Sequence, residues 1–435
     1  MKWIKRVLYF ILALILVVAI LPFVLPLDFY IPQTEQFVSE TIHQPVTIQG
    51  LRAVLLPAPG LAMKGVRVGK MGEETSIEAV TIYADVSTLM QPVKTINRVE
   101  MNGMVLNQEG LLSLPAWLKP GTSPQQFIIK KIRFNKVTLG IRDVNLGLLQ
   151  ADINLTPQNT VQDMQIGTED TKLNVLIKPT NDQYALTLQA KNWTLPVGPA
   201  LVFDDLNINA TAAADKMDMQ EIKGVFYGGT IDGTVKLAWQ ENWQMNGELQ
   251  TKGIDIAQII ALTSRETNMS GKFNGKGTFS MKASSLPRLF DSPNIEARFE
   301  VANGVLYNWD LVKAVQSSSS EGARGGQTRF EEFSGALQLA DKSYQLSQLK
   351  ITSGLLTANG AMSIAPNKQL SGNMRVRLKG SANLVSVPLI VSGSMKDPLL
   401  RPSSGGRSGK AASTSALESG SGTGLGIKTN DELTE

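Results

Sequence analysis

Very few residues in this chain are placed to do covalent chemistry. It has no cysteine and a single histidine, His43. Thiol nucleophiles, disulfides and sites built from several Cys or His ligands are therefore excluded, and no metal is expected. A serine triad would have to recruit His43, which lies in a short polar stretch near the amino terminus, where an ordinary surface or packing histidine is the simpler reading. The adjacent acids Asp204/Asp205 and Glu331/Glu332 have the residue types of a glycosidase. Neighbours on a strand point to opposite faces, so each pair reads as a solvated edge. "GGRSGKA" (Gly405 to Ala411) brushes the phosphate-loop pattern, but Ser404 stands where the first glycine belongs and Ala411 where a hydroxyl should hold magnesium. Trp193, Trp243 and Trp309 could stack on sugars or simply pack, whereas Trp239 has the company of a core residue. No catalytic residue and no cofactor is assigned, and the chain reads as a non-enzyme.

What the residues can do is exclude water. Of 435 residues 43% are hydrophobic and only 18% charged, with 42 basic against 38 acidic side chains and a net charge of +4. That balance, without a basic block among aromatics, gives no footprint for nucleic acid. In "GGTIDGTVKLAW" (Gly228 to Trp239) Ile231, Gly233, Val235, Leu237 and Trp239 alternate with Thr230, Asp232, Thr234, Lys236 and Ala238. Such a strand has one apolar and one wetted face.

The same alternation recurs in "LAMKGVRVG" (Leu61 to Gly69), "SIEAVTIYAD" (Ser76 to Asp85), "TKLNVLIKP" (Thr171 to Pro179) and "YALTLQA" (Tyr184 to Ala190). Helical patterns are few and short: Gln33 to Gln44, Val86 to Gln91, Asp255 to Ser264 and Trp309 to Gln316. An internal echo at an offset of 125 residues aligns Gly229, Ile231, Leu237, Met245, Gly247 and Leu249 with Gly354, Leu356, Met362, Leu370, Gly372 and Met374. It suggests a sheet grown from similar hairpins. Gln316 to Thr328 reads as a flexible loop, and the Gly/Ser-rich stretch after Pro402 as disordered.

Lys2, Lys5 and Arg6 precede an uncharged run from Val7 to Leu27. As a helix, its roughly 21 residues would reach ~30 Å, the thickness of a bilayer core. Leu12, Leu16 and Ile20 lie in that span, with Lys5 and Arg6 holding its start on the cytoplasmic side. A cleaved signal peptide is the competing reading, but the run is long and no Ala-x-Ala site follows. A retained single-pass anchor puts everything after Leu27 across the membrane.

No helix in the sequence is long enough to cover a sheet. Either a second sheet seals the apolar face, as in a sandwich or barrel, or the sheet curls into a trough with a hydrophobic guest.

Several stretches together resemble the AsmA family. "FEVANGVLYNWDL" (Phe299 to Leu311) carries a v-x-N-G-x-l strand with Asn303 and Gly304, and Thr328 and Phe330 form a T-x-F strand. Ser353 to Gly360 match a hairpin motif, and "VPLIVSGSMKDPLLRP" supplies Pro388, Gly393, Asp397 and Pro398. "PVTIQG" (Pro45 to Gly50), "LLPAPGLAMKGVRVG" (Leu55 to Gly69) and "INRVEMNGMVLN" (Ile96 to Asn107) match the front, although His43 and Gln44 stand where many members have Gly-Arg. The resemblance covers roughly residues 1–402, more vaguely over 120–220.

It implies a Gram-negative inner-membrane protein with a mostly β periplasmic body, similar to bridge-like lipid-transfer proteins. The expected fold is an N-terminal transmembrane helix, then an extended, curved, antiparallel-rich half-pipe with a few short helices. The expected regions are a basic flank and anchor (1–30), an AsmA-like amino region (31–120), a middle β region (121–225), an AsmA-like carboxyl region (226–402) and a tail (403–435). The implied function is phospholipid traffic and outer-membrane biogenesis, with phospholipids or other acyl lipids, the inner membrane and inner- or outer-membrane proteins as partners. In that reading Ile231, Val235, Leu237, Trp239, Met245, Leu249, Leu356, Met362 and Met374 line the trough, and Gly233, Gly247 and Gly360 permit curvature. The alternative is a non-transport scaffold or regulator that assists outer-membrane protein assembly, with its apolar faces sealed against each other.

Overall fold

The computed structural model describes residues 9, 13, 27–69, 74–107, 127–140, 146–262, 269–318, 321–354, 356–379 and 384–403. The expected membrane span, apart from Tyr9, Ala13 and Leu27, lies outside them, and so do Lys5, Arg6, Leu12, Leu16, Ile20 and the tail after Ser403. Among the described residues no helix is long and apolar enough to cross a membrane.

Alternation of apolar and polar residues becomes strand along nearly all of the described chain. The amino-terminal part holds β1 (Val46–Thr47), β2 (Gly50–Val54), β3 (Gly60–Val68), β4 (Thr75–Ala84), β5 (Lys94–Asn107), β6 (Phe127–Ile129), β7 (Lys131–Gly140), β8 (Leu149–Leu155) and β9 (Val161–Thr168). The middle holds β10 (Leu173–Thr180), β11 (Gln183–Thr194), β12 (Val202–Ala212), β13 (Lys216–Phe226), β14 (Gly229–Trp239) and β15 (Trp243–Asp255). The carboxyl part holds β16 (Met269–Ala283), β17 (Asn294–Tyr307), β18 (Gln327–Ala340), β19 (Ser343–Ser353), β20 (Leu356–Ile364), β21 (Leu370–Lys379), β22 (Leu384–Gly393) and β23 (Pro398–Pro402).

All 23 strands belong to one sheet. From β7 to β23 each pairs antiparallel with the next, and β3, β4 and β5 do the same. β1 and β2 both pair with β3, end to end. β5 runs parallel to β6 and β7, the one crossover in the ladder. No described strand joins β1 or β2 to β23, so the sheet is open, and no second sheet lies over it among the described residues. The sandwich cover does not form.

The helices match the short patterns. α1 (Ile31–Ile42) starts two residues before the expected stretch, with Pro32 in its first turn, and ends at His43 in the left-handed region. α2 (Ile256–Ala261) and α3 (Leu311–Gln316) are each capped by the preceding aspartate: Asp255 accepts from the Ala257 N–H at 3.1 Å, Asp310 from the Lys313 N–H at 2.8 Å. Val86 to Gln91 shortens to a 3-10 turn at Val86–Thr88.

Curvature comes from a row of irregularities. Gly65 in β3, Gly103 in β5, Lys136 in β7, Asn192 in β11, Gly253 in β15, Asn303 in β17 and Gln348 in β19 all have positive φ. β13 carries a register shift between Met219 and Ile222. These strands all run in the same direction, and at Lys136, Gly253, Asn303 and Gln348, as in β13, the register shifts to make a bulge, so bulges fall on β7, β13, β15, β17 and β19. A bulge bends its strand and increases the local twist.

Both edges are blunted. At the amino edge the N–H groups of Val46, Ile48 and Leu51 donate to Ser39 Oγ (3.0 Å), Glu35 Oε1 (2.6 Å) and Asp28 Oδ1 (3.0 Å). At the carboxyl edge Ala323 exchanges both backbone hydrogen bonds with Leu400, and Pro398 and Pro402 have no N–H to offer. Glu35→Ala leaves the Ile48 N–H unpaired at a cost of about 1–3 kcal/mol. Its expected outcome is a lower Tm with concentration-dependent self-association by size-exclusion chromatography, while Glu35→Gln preserves both.

Candidate functional site

Cross-strand partners share a face of the sheet, so the register traces one row across the whole ladder. It runs Leu51–Met63–Val80–Met101–Phe134–Ala151–Ile166 through the amino-terminal strands. It continues Val175–Leu188–Ile208–Ile222–Gly233–Leu249–Gly277. It ends Ala297–Leu337–Leu346–Met362–Gly372–Val391–Leu400. Every member is apolar or glycine, over a path of ~100 Å at ~4.8 Å per strand.

The opposite face is polar in the same registers. Thr81–Glu100–Arg133–Asp152–Gln165 and Lys223–Asp232–Gln250–Lys276–Arg298 are direct partners there. Arg133 is bidentate to Asp152 at 2.7 and 3.2 Å, and Lys131 joins at 3.1 Å. Burial pushes the Asp152 carboxyl up, but the hydrogen bonds from Arg133 and Lys131 outweigh it and hold the group below the usual range.

The apolar face is covered unevenly. At the amino end Leu27 and the α1 residues Ile31, Val38 and Ile42 pack onto it, and Phe37 meets Phe127 edge-on at 5.7 Å. At the carboxyl end α3 lies against β18, β22 and β23, with Leu311 and Ala314 fully buried. In the middle only α2 approaches the face, with Ile259 packed on its cluster. Ile231, Leu237, Trp239, Met245 and Leu249 are half-buried there, and Val235 is buried. Of the remaining expected trough residues, Met362 and Met374 line a carboxyl-terminal cavity, and Leu356 is buried in the core beside it. All nine lie on the one apolar face. Trp239 donates its indole N–H to the Ala214 carbonyl at 2.9 Å and stands 5.8 Å from Trp243.

The two hairpins of the internal echo are β14–β15 and β20–β21. Both put their apolar residues on this face, with the register moved by one pair: Leu237 faces Met245, whereas Met362 faces Gly372. Gly247 lies between Val235 and Phe279, and Gly360 between Leu349 and Met374. A Cβ at Gly360 would sit 2.2 Å from the Asn373 carbonyl oxygen, so the bare backbone allows close approach.

One loop crosses the trough. Thr194 and Val202 end β11 and β12 on one rim, while Ala283 and Asn294 end β16 and β17 on the other. On a flat sheet these corners would be roughly 40 Å apart. Yet Pro196–Pro199 meets Phe290, and a Cβ on Gly198 would be 2.7 Å from that ring. The sheet has coiled until diagonal corners touch, bordering a half-open space of about 610 Å³ with Met281 and Ile295 in its wall. Gly198, at φ 75°, lets the backbone lie against the ring. Phe290→Ala is expected to raise amide exchange across 195–201 about tenfold; unchanged exchange would mean that the ring does not hold the loop.

Of the candidate chemical residues, Glu331, Glu332 and Asp205 have structural partners. Glu332 binds Lys350 at 3.1 Å, and the Ser334 hydroxyl followed by Lys350 lowers its carboxyl below the usual range, opposite to the shift a general acid needs. Glu331 accepts the Gly354 N–H. Asp205 bonds Asn207 on the same strand. His43 caps α1, exposed. "GGRSGKA" lies outside the described residues. No cluster of three potential metal ligands occurs among the described residues.

The motif residues at the carboxyl end have visible jobs. Asn303 takes positive φ at a bulge, and Gly304 lies under the Phe330 ring, where a Cβ would be 2.4 Å from it. The buried Thr328 hydroxyl donates to the Trp309 carbonyl at 2.6 Å and accepts the Leu311 N–H at 3.1 Å, which seats α3. Arg324 pairs with Asp397. The Pro196–Pro199 crossing and the edge caps carried by Glu35 and Ser39 had no sequence signal beyond two prolines flanking a glycine. The chain matches no protein-family model, no curated protein and no solved structure.

Proposed function

We propose that this chain is an acyl-lipid carrier whose apolar sheet face holds hydrocarbon tails away from water. In the fuller form of this proposal it is an AsmA-like protein, anchored in a Gram-negative-type inner membrane, that supports phospholipid traffic and outer-membrane biogenesis from the periplasm. The observation that carries the reading is the unbroken apolar row from Leu51 to Leu400 on an open sheet with no second sheet over it among the described residues. Its ends are buried under the terminal helices, but from Ile166 to Met362 every member except Ile222 is half-buried, and an apolar stretch of that extent calls for a hydrophobic guest. With both edges capped, addition of a strand from a partner is the less available use of the sheet.

The mechanism is passive. A tail moving along the face loses and regains similar burial at each step, so intermediate barriers stay low. Each buried methylene contributes about 0.8 kcal/mol, enough for a chain to remain sequestered. Headgroups stay at the open side.

The test is photo-cross-linking in the producing cell from a benzophenone amino acid at Leu237, in the full chain. Cross-linked phospholipid is the expected result. A clean absence of lipid adducts, with protein–protein adducts instead, would replace this reading by the scaffold.

A further inference from the structure

We propose that the cavity at the carboxyl end is a blind terminal seat for the methyl end of a fatty acyl chain, entered tail first. This rests on the acyl-lipid reading above and adds where a tail stops and how it is oriented. The cavity measures about 290 Å³ and runs beneath β16 to β21. Phe273, Phe299, Leu346, Met362, Met374 and Met395 represent its walls, and the only polar side-chain atoms among its lining residues are the Trp309 indole N–H and the Tyr344 hydroxyl.

That chemistry selects the occupant. A peptide brings an N–H and a carbonyl with every residue, and each needs a partner once buried. Sugars, nucleotides and headgroups are worse off still. An apolar cavity of ~150 Å³ already stays dry and takes up benzene, so this one, nearly twice as large, is suited to a bare hydrocarbon. Methionine thioethers are unbranched and polarizable and adapt to chains of differing length and unsaturation.

Behind the cavity the carboxyl edge is tightly packed. α3 lies against β18, β22 and β23 with Leu311 and Ala314 fully buried, Ala323 is bonded to Leu400, and Met395, in the turn between β22 and β23, reaches the cavity wall. On the near side α2 and Phe273 border both the cavity and the apolar face of β13 to β15: Ile256, Ile260 and Phe273 line the cavity, while Ile259 and Phe273 pack on the middle cluster. A tail that enters from there leaves by the same way, and its polar end remains in the middle of the trough.

The experiment uses the full chain in a lipid nanodisc with three diazirine probes: a phospholipid labelled at the methyl end of one tail, the same lipid labelled next to its ester, and palmitic acid labelled at its methyl end. Cross-linked peptides are mapped by mass spectrometry. Methyl-end labels are expected on 333–374 and Met395, enriched about tenfold over the ester-proximal label, a ratio that two buried methylenes supply. The ester-proximal label is expected on β13 to β15. Labelling by either methyl-end probe supports the seat, and which one labels identifies the source of the chain. Labels confined to β13 to β15 for all probes would overturn the seat and leave the trough standing. No label on the apolar face would overturn both. Ile260→Trp adds bulk to the α2 side of the cavity wall and is expected to remove the methyl-end label while keeping the ester-proximal one; retention of both would also sink the seat.

Discussion

Leu237→Glu is expected to reduce cross-linked or co-purifying lipid about tenfold while the chain remains folded. Leu237 lies between Met217 on β13 and Met245 on β15, half-buried on the apolar face. In an open trough a carboxylate there stays hydrated from the vacant side, so folding loses little. A lipid tail laid over it would have to strip that water, and the cost falls on loading. In a sealed core the same substitution buries an unpaired charge in the empty protein and unfolds it. Val235, two residues earlier on the same face, is only 6% exposed, so Val235→Glu is the folding control and is expected to lose cooperative unfolding by circular dichroism. Lipid retention by Leu237→Glu at the unmodified level would remove the trough from the account. Unfolding of both variants alike would show the face to be sealed.

The strands were legible because alternation is a local signal, and "GGTIDGTVKLAW" lands on β14 with Ile231, Val235 and Leu237 facing one way. The short helices were legible for the same reason: Asp255 and Asp310 are cap residues in front of apolar runs. What covers the apolar face was not legible, because a strand of a sandwich and a strand of a trough carry the same pattern. The row of bulges was hidden too, since Lys136 and Gln348 are not residues that announce positive φ as glycine or asparagine does. The contact of Gly198 with Phe290 depends on coiling summed over several intervening strands, which no single stretch encodes. The candidate residues of the echo were gathered by periodicity, and periodicity placed them on the right face. It did not separate the half-buried Leu237 from the buried Leu356, because that difference is made by whatever lies above the sheet.

Gly247→Val tests whether curvature is built from bare backbone. Gly247 lies in β15 directly between Val235 of β14 and Phe279 of β16. A Cβ there would be 2.4 Å from the Thr234 carbonyl oxygen, 3.0 Å from Val235 Cγ2 and 3.1 Å from Phe279 Cε1. The carbonyl belongs to the ladder and cannot rotate away as a side-chain tip does, so β14 and β15 must separate or the sheet must flatten. Overpacking of this kind typically costs about 1–3 kcal/mol, and β-branching makes relief by rotamer change harder. The expected result is a lower Tm together with faster amide exchange in β14 to β16 and in 195–201, because a flatter sheet pulls the Pro196–Pro199 crossing off Phe290. Thr234→Val, on the polar face of the neighbouring strand, places a valine there at nearly the volume of the threonine it replaces and is expected to leave exchange at 195–201 unchanged. If Gly247→Val slows nothing and loosens nothing beyond its own hairpin, the coil of the sheet is set by the bulges alone, and the alternation of glycine with large side chains is only a packing pattern.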